Sequence, residues 1–319
     1  MGFLSRIALC LSIILAASCG RGGDSGKASG TPAPPETPSE TVLSAEMLPS
    51  PKGAEVPQYE GMELVWHDEF DVDGAPSDAW SYEEGFVRNK ELQWYQKDNA
   101  SVSGGALIIE ARRETKPNPG YVAGSSSWKT NRPTAEYTSA CVTTSGSFAF
   151  RYGRLEVRAK IPVGLGSWPA IWTLGNKWNW PYNGEIDIME YYVRSEPGIL
   201  ANACWGGSHN NSVWDESFTK YSHFTEKDGE WASKYHIWRM DWDKDWIRLY
   251  LDDELLNEVD LSKTVNGGAG GNRENPFSND IEGFGAYILL NLAIGSNGGD
   301  PSGTLFPMQY CVDYVRVYQ

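Results

Sequence analysis

Short runs in which apolar and polar residues alternate recur along this 319-residue chain, and they constrain its fold more than any other feature. Clear examples are residues 106–111, 153–161 and 246–251. Each run is bounded by Gly, Pro, Asn or Asp, and no long stretch keeps a 3.6-residue period. Many short strands without helices between them predict two stacked antiparallel sheets. The predicted fold class is therefore all-β, a two-sheet jelly-roll sandwich.

The charge of the chain excludes one class of partner. It contains 27 Lys and Arg against 42 Asp and Glu, so its formal net charge is −15. Because a nucleic-acid-binding protein needs a cationic face to neutralise phosphate, no nucleic acid is expected as a partner. The same charge argues against a polyanionic substrate unless a local basic patch overrides it. The 14 Trp, 16 Tyr and 10 Phe form a large β-core or line a groove where rings stack on sugars.

The first residues have the pattern of a targeting segment. Arg6 precedes an apolar run that is too short to span a membrane and that ends in small residues before Cys19. This pattern resembles a bacterial lipobox, which implies a lipoprotein signal peptide over residues 1–18 and a lipid on Cys19. An ordinary signal peptide is the alternative. We expect an exported bacterial lipoprotein at the outer membrane or cell surface, or a periplasmic or secreted protein under the alternative.

A segment rich in Gly, Ser, Thr and Pro follows. Residues 19–59 contain almost no aromatic residues and cannot bury enough apolar surface to fold. They predict a flexible linker between the lipid anchor and the folded domain, which we expect at residues 60–319. The cysteines of that domain form no CxxC motif and no Cys/His cluster, so we expect three buried free thiols and no zinc site. They are Cys141, Cys204 and Cys311.

The residues that carry chemistry are concentrated in segment 185–190, EIDIME. On a strand, Glu185 and Asp187 share one face. Strict alternation would turn Glu190 into the core, where an unpaired carboxylate is costly, so we predict a β-bulge at residues 188–189 that returns it to the same face. Repulsion among three carboxyls raises at least one pKa, which keeps an acid protonated for catalysis. The alternative, a solvated acidic edge strand, does not explain the interleaved Ile and Met.

Six further motifs accompany this segment in the order of one known family. They occupy residues 64–71, 89–95, 137–140, 152–158, 166–172 and 312–319. Together with EIDIME they resemble glycoside hydrolase family 16, in the bulged variant of its laminarinase-like members. The resemblance implies a concanavalin-like jelly roll with an open substrate cleft and an endo-acting, retaining hydrolase. It makes Glu185 the nucleophile, Glu190 the general acid/base and Asp187 the residue that tunes both electrostatically.

The resemblance also implies substrate-binding positions. They are Asn89, Trp168, Trp172, Trp180 and His209. Asn89 matches a polar contact of the subsite before the cleaved bond. Trp168 and Trp172 match aromatic walls beside the cleaved sugar, and Trp180 is a further stacking candidate, although any of these rings could instead belong to the core. Many members carry a His where Cys204 stands, and His209 in a nearby loop could replace it.

A structural metal ion is a further implication of the resemblance. The family often holds a calcium ion with an aspartate of the C-terminal strand and backbone carbonyls, and Asp313 occupies that place. A plain surface role for Asp313 is the alternative. No cofactor is expected to be required for catalysis.

The predicted function is endo-acting, retaining hydrolysis of a β-linked polysaccharide by a monomer tethered to a bacterial membrane. The expected substrate is a β-1,3- or mixed β-1,3/1,4-glucan. One alternative is an endo-β-galactan hydrolase that acts on agar-like or poly-N-acetyllactosamine (mucin O-glycan) chains. Another is a non-catalytic, lectin-like glycan-binding lipoprotein, against which the three intact carboxyls argue because binding alone requires no such group.

Overall fold

A computed structural model describes residues 43–209, 211–268 and 272–319. The predicted signal peptide, Cys19 and the linker as far as residue 42 lie outside these residues. The regular secondary structure of the described part is mostly antiparallel strand, with short helices in the connections. No helix in these residues has both the length and the apolar character that crossing a membrane requires.

Two antiparallel sheets share one core, and strands are numbered here in chain order. The larger sheet contains eight of the described strands: β17 (Glu254–Asp260), β16 (Trp246–Leu251), β15 (His236–Trp242), β10 (Gly153–Lys160), β19 (Met308–Tyr318), β5 (Leu107–Ala111) and β4 (Ala100–Val102) in sheet order, with β1 (Leu64–Asp68) paired to β19. Seven described strands form the smaller sheet: β14 (Ser212–Lys220), β13 (Pro197–Gly206), β12 (Glu185–Val193), β11 (Ser167–Gly175), β18 (Ala286–Ile294), β9 (Cys141–Thr143) and β2 (Ser81–Tyr82).

Short elements occupy the connections. Two minor ladders pair β3 (Gln93–Tyr95) with β8 (Tyr137–Ser139) and β6 (Lys116–Pro117) with β7 (Thr134–Ala135). One α-helix, α1, spans Tyr221–Thr225. Single 3₁₀ turns span Ala45–Met47, Lys97–Asn99, Trp231–Ser233, Leu261–Lys263 and Ser296–Gly298.

The core lies between the two sheets and is built from their inward-facing residues. Leu155 and Trp238 of the larger sheet and Ile186, Ile188 and Ile288 of the smaller sheet are at most 1% exposed. Burial of one such side chain stabilises the fold by about 1.5–3 kcal/mol. The predicted all-β sandwich is confirmed. The predicted burial of the three thiols is also confirmed, at Cys141, Cys204 and Cys311, and none of them forms a disulfide in the described residues.

Residues 43–59, which the sequence analysis assigns to the linker, belong to the same compact unit as the residues that follow them. Residues 43–59 lie against the outer face of the larger sheet and its connections. The backbone oxygen of Glu46 accepts a hydrogen bond from the Tyr235 amide at 2.7 Å, and that of Leu48 accepts one from the Arg158 guanidinium at 3.1 Å. Composition was misleading because this segment docks by satisfying polar groups rather than by burying an apolar face.

Candidate active site

Strand β12 brings the three predicted carboxyls to one face through a bulge. Asp187 pairs with Trp172 of β11, whereas the next residue of β11, Ile171, pairs with Met189. Ile188 is thus an extra residue on β12, and the register with β13 shifts at the same place. The predicted β-bulge at this point is confirmed, and the last carboxyl returns to the face of the first two.

The apolar residues of the same segment hold this register. Ile186, Ile188 and Met189 are each at most 1% exposed and lie in the core between the sheets. Because a slip of one residue would exchange the apolar and acidic faces of the strand, their burial fixes which groups point outward.

Glu190 is held by two hydrogen-bond donors. The indole Nε1 of Trp168 donates to its Oε1 at 2.9 Å, and the hydroxyl of Tyr192 is a second partner. Burial, followed by the charge of Glu185, raises the pKa of Glu190 to about 8, although both donors oppose the shift. A carboxyl with this pKa is protonated at neutral pH and can act as a general acid.

Glu185 has the partners that an ionised carboxylate needs. The indole Nε1 of Trp180 donates to its Oε2, and 52% of the surface of Trp180 is exposed beside it. Burial raises the pKa of Glu185 above its ordinary value, and the hydrogen bonds from Trp180 and Asp187 and the charge of Arg88 offset only part of this rise. Since these partners all favour the charged form, Glu185 is the carboxyl of this group that ionises most readily.

Asp187 lies between the other two carboxyls and is 1% exposed. Burial, and then the charges of Glu190 and Glu185, raise its pKa well above the ordinary value. Within the described residues its Oδ2 accepts no hydrogen bond, and Asn202 of β13 lies opposite it in the sheet. A protonated Asp187 can donate a hydrogen bond to Glu185, which agrees with the lowering of the pKa of Glu185 by this neighbour.

The two predicted Trp residues of β11 make different contacts. Trp168 is 5% exposed, and its ring meets Tyr192 edge-on at 5.4 Å beside the catalytic face. Trp172 is 7% exposed, donates from Nε1 to Asn291 Oδ1 at 2.7 Å, and lies 4.9 Å below the guanidinium of Arg88. Protein covers most of both rings, so each can present only a small surface to a ligand.

The two predicted polar loop residues make different contacts, and neither bonds to the three carboxyls in the described residues. Asn89 is exposed and donates to Glu91 Oε1 at 3.3 Å, and the charge of Glu91 contributes to the raised pKa of Glu190. His209 is exposed, and its ring bonds the hydroxyl of Ser208 at 2.8 Å. It makes no contact with the three carboxyls in the part of the chain that the structure describes.

Sequence analysis missed three side chains of this site. Tyr192 could have been found, because it follows Glu190 by two residues on the strand and therefore shares its face. Asn202 and Arg88 left no such signal. Their positions depend on the pairing of β13 with β12 and on the course of the loop before β3.

Asp313 does not fit a calcium ligand. Its Oδ1 accepts the Ser50 amide at 2.7 Å, and its Oδ2 accepts both the Ser50 hydroxyl and the Arg158 guanidinium at 2.7 Å. The Asp313 side chain is 3% exposed, so it is not a plain surface acid either. The described residues contain no group of three or more His, Cys, Asp or Glu arranged to hold a metal. The Arg158 guanidinium thus already neutralises the carboxylate that a calcium ion would need.

Comparison with known proteins agrees with this geometry. The chain is 34% identical to a β-glucanase of Rhodothermus marinus over 87% of its own length and 91% of that protein. A solved structure from work on the endo-acting O-glycanases with which human gut bacteria initiate mucin breakdown superposes with a TM-score of 0.70, at 34% identity over 82% of this chain and 91% of the other. The laminarinase catalytic domain of Thermotoga maritima gives a TM-score of 0.63, at 32% identity over 81% and 98%.

The family assignment follows from these matches and from the strand that carries the carboxyls. The sequence pattern of the glycosyl hydrolases family 16 matches residues 88–274, which is more than half of the chain and includes all of β12. With the bulged acidic strand at the centre of the matched segment, this chain belongs to glycosyl hydrolase family 16.

Proposed function

We propose that this protein is an endo-acting, retaining hydrolase of β-1,3- or mixed β-1,3/1,4-glucan. The observation that carries the proposal is the division of roles among the carboxyls of β12. The partners of Glu185 favour its charged form, whereas burial and charge repulsion keep a proton on Glu190. Retaining glycosidases need one carboxylate nucleophile and one protonated carboxylic acid. The similarity to the β-glucanase and the laminarinase supports a glucan as the substrate.

In the first step, the Glu185 carboxylate attacks the anomeric carbon while Glu190 gives its proton to the departing glycosidic oxygen. The carbon–oxygen bond breaks, and a covalent glycosyl ester forms on Glu185. The hydrogen bonds from Trp180 and Asp187 orient the nucleophile. The Trp168 indole fixes the acid at its Oε1.

In the second step, the now ionised Glu190 takes a proton from water, and the resulting oxygen attacks the anomeric carbon. The ester bond to Glu185 breaks, which releases a sugar with the original β configuration. Asp187 keeps its proton throughout and stabilises the carboxylate that leaves. Two inversions at one carbon therefore give net retention.

The test is a substrate screen with laminarin, mixed-linkage glucan, agarose and poly-N-acetyllactosamine. We expect products of several lengths from laminarin or mixed-linkage glucan at early times, and NMR should show the β anomer before mutarotation. Monosaccharide as the first product would contradict endo action. An initial α anomer would contradict the two-step mechanism.

A second candidate is an endo-β-galactosidase that acts on poly-N-acetyllactosamine chains of mucin. The observation that favours it is the TM-score of 0.70 with the O-glycanase structure, against 0.63 with the laminarinase. In addition, Cys204 lies opposite Glu185 in the sheet, where many family members resembling laminarinases carry a His. Cleavage of poly-N-acetyllactosamine with intact laminarin in the same screen would select this candidate.

We also propose that the protein is exported as a monomer and anchored to the membrane through a lipid on Cys19. The small residues before Cys19 support this proposal. Cys19→Ala should move the protein from the membrane fraction to the soluble fraction with unchanged specific activity. Cys10→Ala, inside the apolar run, is the matched control and should stay with the membrane. Equal membrane association of both variants would contradict the anchor.

A further inference from the structure

Two loops beside the active site bring together cations and aromatic rings that we call the basic patch. The basic patch comprises Phe86, Lys90, Trp128, Lys129 and Arg132. We infer that it binds an anionic substituent, a sulfate or a carboxylate, carried by the glycan near the cleaved bond. This inference rests on the proposed glycan hydrolysis and adds to it a preference for chains that bear such groups over their neutral forms.

Cations and rings interleave within the basic patch. The guanidinium of Arg132 lies 3.6 Å from the ring centroid of Phe86 and 5.6 Å from that of Trp128. The Lys129 ammonium lies 5.7 Å from the Trp128 ring, and the two rings are 6.1 Å apart. Cation–π contacts hold these charges in position without neutralising them, so they remain available to an anion.

The cations of the basic patch form no ion pair within the described residues. Arg132 donates from Nη2 to the backbone oxygen of Glu91 at 3.0 Å, and its buried Nε has no hydrogen-bond partner there. The Glu91 carboxylate turns away and accepts from Gln93 at 2.6 Å. Burial lowers the pKa of Arg132 with no carboxylate to compensate. An anion would supply that missing charge.

A buried amide fixes the loop that carries two of the cations. Asn118 is 7% exposed, and its Nδ2 donates to the backbone oxygens of Lys129 at 3.0 Å and Arg132 at 2.8 Å. Its Oδ1 accepts the amide of Gly120 at 2.9 Å. Because the backbone that bears the cations is already ordered, less conformational entropy is lost when a ligand binds.

The basic patch adjoins the catalytic carboxyls without belonging to them. Lys90 follows Asn89 directly, and Arg132 contacts the backbone of Glu91. The negative charge of Glu91 contributes to the raised pKa of Glu190. An anion on the basic patch is therefore attached to a sugar close to, but not at, the cleaved bond.

The net charge of −15 limits which anionic glycans can bind. Repulsion from the rest of the protein disfavours a densely charged polymer at long range, whereas unpaired cations attract an anion within about 10 Å. The basic patch therefore favours a largely neutral chain with sparse sulfates or acidic sugars. Composition alone could not show that a positively charged patch exists on a protein whose net charge is negative.

The first experiment compares neutral and charged forms of one backbone. The pairs are laminarin with sparsely sulfated or carboxymethylated laminarin, and poly-N-acetyllactosamine with partially desulfated keratan sulfate. The readout is the ratio of kcat/KM on the charged form to that on the neutral form. Lys129→Gln should lower this ratio about threefold, and K90Q/K129Q/R132Q about tenfold or more. The sulfated and carboxymethylated arms show which anion is preferred.

Lys160→Gln is the matched control, because Lys160 lies 5.2 Å from the Tyr235 ring on the other sheet. It removes the same charge from a similar aromatic contact and should leave the ratio unchanged. An equal ratio in the wild type and the triple variant would overturn the inference. If the triple variant does not fold, the exposed Lys129 carries the test alone, with the same two outcomes.

A binding measurement separates this inference from the proposed function. The full-length protein is run through native gels that contain sulfated laminarin or keratan sulfate. The triple variant and addition of about 0.5 M NaCl should each reduce retardation of the protein. If no glycan is cleaved but retardation still depends on the basic patch, the proposed hydrolase function is wrong and the inferred anion binding is supported. Equal retardation of wild type and triple variant refutes the patch even if glycans are cleaved.

Discussion

The two sheets differ in whether their buried charged groups are paired with groups of opposite charge. On the larger sheet, Arg316 makes two hydrogen bonds to Glu69, at 2.9 and 2.7 Å, and Arg154 makes two to Asp241, at 2.7 and 3.0 Å. Although burial raises the pKa of Glu69, the Arg316 guanidinium outweighs it and lowers that pKa. On the smaller sheet, by contrast, no Lys or Arg of the described chain forms an ion pair with the three carboxyls of β12.

The larger sheet therefore acts as the scaffold, whereas β12 of the smaller sheet carries the reaction centre. Paired charges on the larger sheet satisfy one another and fix the positions of strands. The crowded carboxyls on β12 have raised pKa values, so their ionisation lowers the free energy of unfolding. Ionisation of the paired groups on the larger sheet has no such cost. Removing a charge should therefore destabilise one sheet and stabilise the other.

The largest expected effect is on the chemical step. Glu185→Gln should lower kcat by several orders of magnitude, because an amide cannot form the glycosyl ester. Stopped reducing-end assays on the best substrate of the screen measure this loss. Urea unfolding should show equal or greater stability than the wild type, since one of three repelling carboxyls is gone. Hydrolysis at near the wild-type rate would refute the nucleophile assignment.

Breaking a pair on the larger sheet should have the opposite effect on stability. Arg316→Met leaves Glu69 partly buried without its guanidinium and should lower the free energy of unfolding by about 3–5 kcal/mol. Urea titration measures this change. Arg248→Met is the control, because its partner Glu258 is 40% exposed and the loss there should be below about 1 kcal/mol. Equal losses would mean that burial of the pair contributes nothing.

The reaction centre could be predicted from sequence because a local pattern encodes it. Ile186 and Ile188 alternate with the acids, and the cost of burying an unpaired carboxylate required a bulge before Glu190. The two-residue spacing of strands then determines the shared face. A few consecutive residues therefore contained nearly all the information for the catalytic strand.

The ion pairs of the larger sheet could not be predicted from any local sequence pattern. Asp313 meets Arg158 and Ser50, which lie 155 and 263 residues away in the chain. Such pairs depend on which strands become neighbours, and their residues look like ordinary surface charges in the sequence. These contacts give the expected calcium ion no support, because the family pattern identifies the aspartate but not the cation that reaches it.

The pH dependence of stability should also distinguish the two sheets. The pKa of Glu190 rises from 4.5 to about 8 on folding. A raised folded pKa contributes stability that is complete below the unfolded value and is lost as pH rises through the folded one. Relative to the wild type, Glu190→Gln should therefore gain on the order of 5 kcal/mol between pH 4.5 and about pH 9. Urea titrations across this range test it, and a constant difference would refute the raised pKa.

The same pKa predicts the shape of the activity profile. The kcat/KM of the wild type should fall above about pH 8 as Glu190 loses its proton, and at low pH as Glu185 gains one. Because the carboxyls titrate together, both limbs belong to the cluster as a whole. Initial rates across the pH range measure the profile, and constant activity to pH 10 would contradict a carboxyl as the general acid.

The smallest expected effect is the response to calcium. Both oxygens of Asp313 are engaged by Ser50 and Arg158, so chelation or about 5 mM calcium should change the Tm by less than about 1 °C. A site with a dissociation constant of about 10⁻⁴ M would instead add about 2 kcal/mol at this concentration, which raises the Tm of a domain this size by several degrees. Thermal unfolding with EDTA and with calcium measures the difference. A rise of that size would mean that the ion displaces the guanidinium, and the larger sheet would then depend on a metal rather than on paired side chains.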